Sequence, residues 1–170
     1  KYSYASRRTV SFAKNGMVAT SSPLPAQVGL DILKKGGNAI DAAVATAAAL
    51  SVMEPCSNGI GADSFALIWY QGKLYGLNGS GKSPYLISGE KLLEKGCKAV
   101  SGDGWDPVMV PGTPSAWAEA VKKFGKLSLA EDVEPAAKYA EEGFPLAPNI
   151  GKQFKLGFKR FMKAGGPERF

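Results

Sequence analysis

The residues best placed for chemistry fall in one glycine-rich stretch. Gly76 to Ser83 reads Gly-Leu-Asn-Gly-Ser-Gly-Lys-Ser and fits G-x-x-x-x-G-K-[ST], a loop whose amides cradle phosphate. The same stretch also fits a substrate-facing loop at the end of a buried hairpin. Histidine is absent from the chain, which removes Ser-His-Asp and Cys-His catalysis and every histidine-bearing metal site. Cys56 and Cys97 read as free thiols rather than a structural pair.

The phosphate reading makes demands on its neighbours. A phosphate loop follows a buried strand and opens a long helix whose N-terminus meets the anion. Residues 73–77 form a short strand broken by Gly76, and Tyr85-Leu86-Ile87-Ser88-Gly89 is not a helical sequence. No later apolar strand ends in an aspartate that would hold Mg²⁺. A nucleotide-binding module using Gly76 to Ser83 is therefore the alternative reading, not the first.

The elements that must position this loop follow from the rest of the chain. With 170 residues, 45% apolar and 21% charged, it is long enough for one domain with its own core. The 21 glycines and 11 prolines point to short elements joined by tight turns. The net charge of +6 is concentrated at one end, with +5 in residues 151–170 and +1 in the remainder. A nearly neutral body argues against nucleic acid as a partner. Phe154, Phe158 and Phe161 in the basic end are spaced as one face of an amphipathic helix. No run approaches the roughly 18–20 apolar residues of a membrane span. Lys1 to Arg8 lacks the apolar centre of a secretory leader. A cytoplasmic location is expected, or a secreted or periplasmic one if a leader precedes residue 1.

In chain order, residues 9–14 and 17–20 alternate around Asn15-Gly16 and predict a first hairpin. A helix is expected over residues 25–35, stopped by Gly36-Gly37. Asn38 caps the next, over 39–53, with Asp41 in its first turn. That helix is small and apolar all round, which predicts burial against a sheet and a neighbouring helix. Glycines at 59 and 61 lead into a nearly continuous apolar run, Ser64 to Tyr70, expected as a strand covered on both faces. Gln71-Gly72 turns it into a second strand over 73–78. Later come a short helix over 90–95, a brief strand over 108–110 and a helix over 115–124. Ser128 and Glu131 form a capping box for a further helix that runs to about Glu142, with Pro135 kinking or splitting it. The whole is a layered α+β chain.

Gly16-Met17-Val18-Ala19-Thr20 and the run from Leu30 to Ala45 resemble the start of the large subunit of the γ-glutamyltransferases (γ-glutamyltranspeptidases). So do Glu54-Pro55, Gly59-Ile60-Gly61, Leu77 to Pro84, Val108 to Gly112 and Tyr139 to Pro145. The resemblance implies part of an Ntn-hydrolase αββα four-layer sandwich. It also implies a precursor that cuts itself, and a threonine nucleophile on a small subunit that uses its own α-amino group as base, without cofactor or metal. The substrates implied are γ-glutamyl compounds such as glutathione, or related acyl amides. None of Thr9, Thr20, Thr46 and Thr113 occupies a nucleophile position, so residues 1–170 are expected to be one incomplete N-terminal portion of the large subunit, with no catalytic residue of their own. Typical members carry an arginine in the loop after the second strand, and Ser80 stands at that position here. Lys82 is the nearest cation and is the expected contact for a substrate carboxylate, with Ser80 as its hydrogen-bonding neighbour. Asp63 and Ser64 are turn residues in this reading, close to the same site. The serine makes this chain similar to the γ-glutamyltransferase-like branch, beside the cephalosporin and glutaryl acylases.

Overall fold

The computed structural model describes residues 10–102, 104–163 and 165–166. Helices α1 (Pro23–Lys35) and α2 (Ala39–Met53) come first, then strands β1 (Ser64–Tyr70) and β2 (Lys73–Gly79). Four helices follow: α3 (Gly89–Glu94), α4 (Thr113–Phe124), α5 (Leu129–Glu142) and α6 (Pro148–Lys163).

The core is a helical layer centred on α2, with α1 on one side and α5 on another. Val28 and Ile32 of α1 and Ala136 of α5 bury against Ala42, Ala45, Ala48 and Ala49. Such small side chains let the helices approach closely, and Gly29 lets α1 lie directly against α2. A methyl there would run into Thr46 Oγ1 and would stand 3.1 Å from the Ala42 carbonyl.

Local capping explains where α2 begins. Asn38 Oδ1 accepts from the N–H groups of Ile40 (2.8 Å) and Asp41 (3.3 Å), while Asp41 Oδ2 accepts from the Asn38 N–H at 2.7 Å. Asp41 is fully buried and also accepts from the N–H groups of Lys126 (3.0 Å) and Leu127 (3.3 Å). One carboxylate therefore holds the start of α2 to the α4–α5 connection. The Ser128–Glu131 box opens α5 as expected, and Lys35 reaches across from α1 to Glu131 at 3.1 Å. The Ser128 N–H and hydroxyl, with Lys35, hold the Glu131 carboxyl down at about 2. Pro135 is accommodated inside one continuous α5 rather than splitting it.

β1 and β2 form an antiparallel hairpin in register from Ser64 opposite Gly79 to Tyr70 opposite Lys73. Gln71 (φ 49°) and Gly72 (φ 76°) make the two-residue turn that suits the natural twist of such a pair. The face bearing Ile68, Tyr70 and Tyr75 packs on α4, where Phe124 lies 5.3 and 4.9 Å from the two tyrosine rings. The opposite face does not meet the expectation of a doubly covered strand. Phe65, Leu67 and Trp69 are 64%, 81% and 71% exposed. Nor is α2 covered all round, because an open groove of about 360 Å³ separates Ala39, Ala43 and Ala47 from β1.

Two further expectations fail. Residues 10–20 form no strand, and Thr9 lies outside the described residues. The segment runs over the helices instead, with Val18 packed on the core and Gly16 close to Leu33. Residues 108–110 likewise join no ladder; Val110 makes a single backbone bond to Lys82, and Pro111 removes the next donor.

Candidate functional site

The open end of the hairpin brings the predicted site residues together. Past Gly79 the chain turns, and Asn78 Oδ1 accepts from the Ser80 N–H at 3.0 Å, so Ser80 stays half-buried at the mouth of the sheet. Two residues on, Lys82 is exposed, and no carboxylate pairs with its ammonium among the described residues. Asp63, entering β1, is exposed, and Ser64 pairs with Gly79 in the sheet.

A segment that the sequence marked only as a short strand closes this end. The Val110 N–H donates to the Lys82 carbonyl at 2.9 Å. The Gly112 and Thr113 N–H groups both donate to the Ala62 carbonyl at 3.1 Å. Thr113 is only 4% exposed, and its hydroxyl lies 3.0 Å from the Ala62 carbonyl and 2.9 Å from that of Asp63. Residues 110–113 thus lie between the chain entering β1 and the chain leaving β2. Glycine is required where the backbones meet. Gly81 has φ 74° and no room for a Cβ beside the Val110 carbonyl, and a Cβ on Gly112 would run into the Gly79 carbonyl.

The arrangement offers a cation and a hydroxyl on a backbone-held loop, and no activated nucleophile stands beside them among the described residues. Thr46 donates to the Ala42 carbonyl inside α2, and Thr113 is buried in the contact just described. Cys56 and Cys97 are free thiols. The phosphate-loop alternative does not fit. Gly76 sits inside β2 opposite Leu67, the strand is antiparallel, and Ser83 opens no helix. The amides that would cradle phosphate are not arrayed at a helix start. No helix among the described residues is long and apolar enough to cross a membrane.

Solved structures share this layout. A cephalosporin acylase from Bacillus halodurans superimposes with a TM-score of 0.89 at 55% identity, over 96% of this chain and 31% of that one. The γ-glutamyltranspeptidase of Helicobacter pylori gives 0.84 at 33% identity, over 91% of this chain and 46% of that one. The fold is the α+β architecture of the Ntn hydrolases. The family model for gamma-glutamyltranspeptidase matches residues 25–168, and the chain belongs to that family. Among curated relatives, the glutathione hydrolase proenzyme of Bacillus subtilis (strain 168) is 39% identical, over 85% of this chain and 26% of its own length. The glutathione hydrolase-like YwrD proenzyme of the same organism is 43% identical, over 77% and 25%. The chain thus spans about a quarter of the length of these curated relatives.

Proposed function

We propose that residues 1–170 are an N-terminal portion of the large subunit of a γ-glutamyltransferase-like enzyme. The enzyme cuts itself and then transfers or hydrolyses the acyl group of a γ-glutamyl compound or related acyl amide. The observation that carries this reading is the family match, over residues that include the whole hairpin and its loop. Relatives named as proenzymes support self-cleavage, and the acylase neighbour supports an acyl-amide substrate.

In this mechanism the chain binds and a small subunit reacts. A threonine at the new N-terminus of that subunit attacks the amide carbonyl, its α-amino group taking the proton. The acyl-enzyme then passes its acyl group to water or an amine. Lys82 receives the carboxylate at the far end of the acyl chain, and Ser80 hydrogen-bonds beside it. A lysine meets a carboxylate as a point charge where an arginine would grip it with two parallel bonds. Simple carboxyacyl amides are therefore accepted beside γ-glutamyl ones. The exposed apolar face of β1 is where the rest of the enzyme covers this chain. A cytoplasmic location completes the proposal, with cell fractionation as its check.

The test uses the full-length protein with γ-glutamyl-, glutaryl- and butyryl-p-nitroanilide, the last lacking a carboxylate. Lys82→Ala is expected to raise KM for the first two by about tenfold and to leave the third unchanged. Equal values in variant and wild type would remove Lys82 from the site. Denaturing gels should show two fragments, the second beginning with threonine; an uncut yet active chain would overturn the mechanism.

A further inference from the structure

We propose that Thr113 is the positioning residue of the substrate loop, setting where Ser80 and Lys82 stand without touching either side chain. The inference rests on the reading of Lys82 as the carboxylate contact.

The Ala62 carbonyl already receives two N–H groups, from Gly112 and Thr113. What the hydroxyl adds is the Asp63 carbonyl, at 2.9 Å. That bond fixes the peptide leading into Ser64, the residue paired with Gly79 at the last rung of the sheet. Ser80 follows directly. From the other side, the Val110 N–H holds the Lys82 carbonyl, and the chain passes so close at Gly79, Gly81 and Gly112 that a Cβ on any of them would collide with its neighbour. A Cβ on Gly79 would stand 2.6 Å from Ala116 Cβ, so α4 packs directly against this last rung. Thr113 is the first residue of α4 and nearly fully buried, which makes it the junction between the rigid helical layer and the loop.

A bound carboxylate remote from the scissile amide changes little during acyl transfer. Misplacing its lysine therefore weakens ground state and transition state together, which raises KM and spares kcat. General loosening of the fold would affect all substrates alike.

Full-length Thr113→Val, which keeps the shape and removes the hydroxyl, is compared with Thr113→Ser, which keeps the hydroxyl, on the glutaryl and butyryl substrates. Thr113→Val is expected to raise KM for the glutaryl amide by about tenfold with kcat within about twofold. The butyryl amide should be unaffected, and Thr113→Ser should behave as wild type. No change, or a parallel loss with both substrates, would overturn the proposal. If Thr113→Val fails to accumulate, Thr113→Ala, which removes the hydroxyl in a smaller side chain, takes its place. The same selective rise is then expected, and its absence overturns the positioning role. Lys82→Ala separates the two readings. A silent Lys82→Ala removes the carboxylate contact and the positioning role with it, whereas an effect at Lys82 without one at Thr113 removes the positioning role alone.

Discussion

Two buried carboxylates lie near the joint between α2 and α5 in opposite circumstances. Asp41 takes N–H donors from Asn38, Lys126 and Leu127, whereas neither oxygen of the fully buried Asp132 has a hydrogen-bond partner among the described residues. Removing Asp41 strands several donors at once, so Asp41→Ala is expected to cost the full-length protein at least ~3 kcal/mol in denaturant unfolding. Burial first, then the charges of Asp41 and Glu131, push the Asp132 carboxyl up from 3.8 to about 6, against a smaller opposing pull from Lys35. The folded state thus holds the Asp132 proton more tightly than the unfolded chain does. Its contribution is complete below about pH 4 and is lost as pH rises through 6, a change on the order of 2 kcal/mol. Melting temperatures between pH 4 and 8 should fall more steeply for wild type than for Asp132→Asn. Parallel curves would show that Asp132 does not titrate in this window.

Close packing of α1 on α2 depends on a missing side chain. Gly29→Val would force a branched side chain against Thr46 and the Ala42 carbonyl, and a loss of about 2–3 kcal/mol is expected from urea unfolding of the full-length protein. Helices of this kind were readable in advance because their ends are written in side chains: Asn38 with Asp41, Ser128 with Glu131, and Gly36 after α1. The β1–β2 hairpin was readable from its turn. Residues 10–20 and 108–110 misled because alternation and branched side chains favour extended backbone without showing that a partner strand exists. The site divided in the same way. Ser80 and Lys82 lie in one short motif, whereas the bonds of Thr113 reach carbonyls 51 and 50 residues away. A carbonyl is common to every residue, so nothing in the sequence marks it as an acceptor.

Across the whole molecule, apolar surface remains open in places where a finished domain buries it. Besides the outer face of β1, α6 leaves Phe154 and Phe158 43% and 64% exposed. Residues 1–170 expressed alone are therefore expected to show no cooperative thermal transition and to bind a hydrophobic dye; a sharp, reversible melt would contradict this. The contact at residues 110–113 has a different consequence. Most of its bonds run between main-chain atoms, which stay the same whichever side chains the loop displays. Loop placement and loop chemistry are thus separable properties, and substrate preference can be rewritten by a single codon without rebuilding the frame. Ser80→Arg is accordingly expected to leave the melting temperature within a few degrees and to raise kcat/KM for the γ-glutamyl and glutaryl amides over the butyryl amide by about tenfold or more. A collapsed fold or an unchanged ratio would show that the two properties are bound together. In such a protein, the backbone keeps the address while the side chains change the tenant.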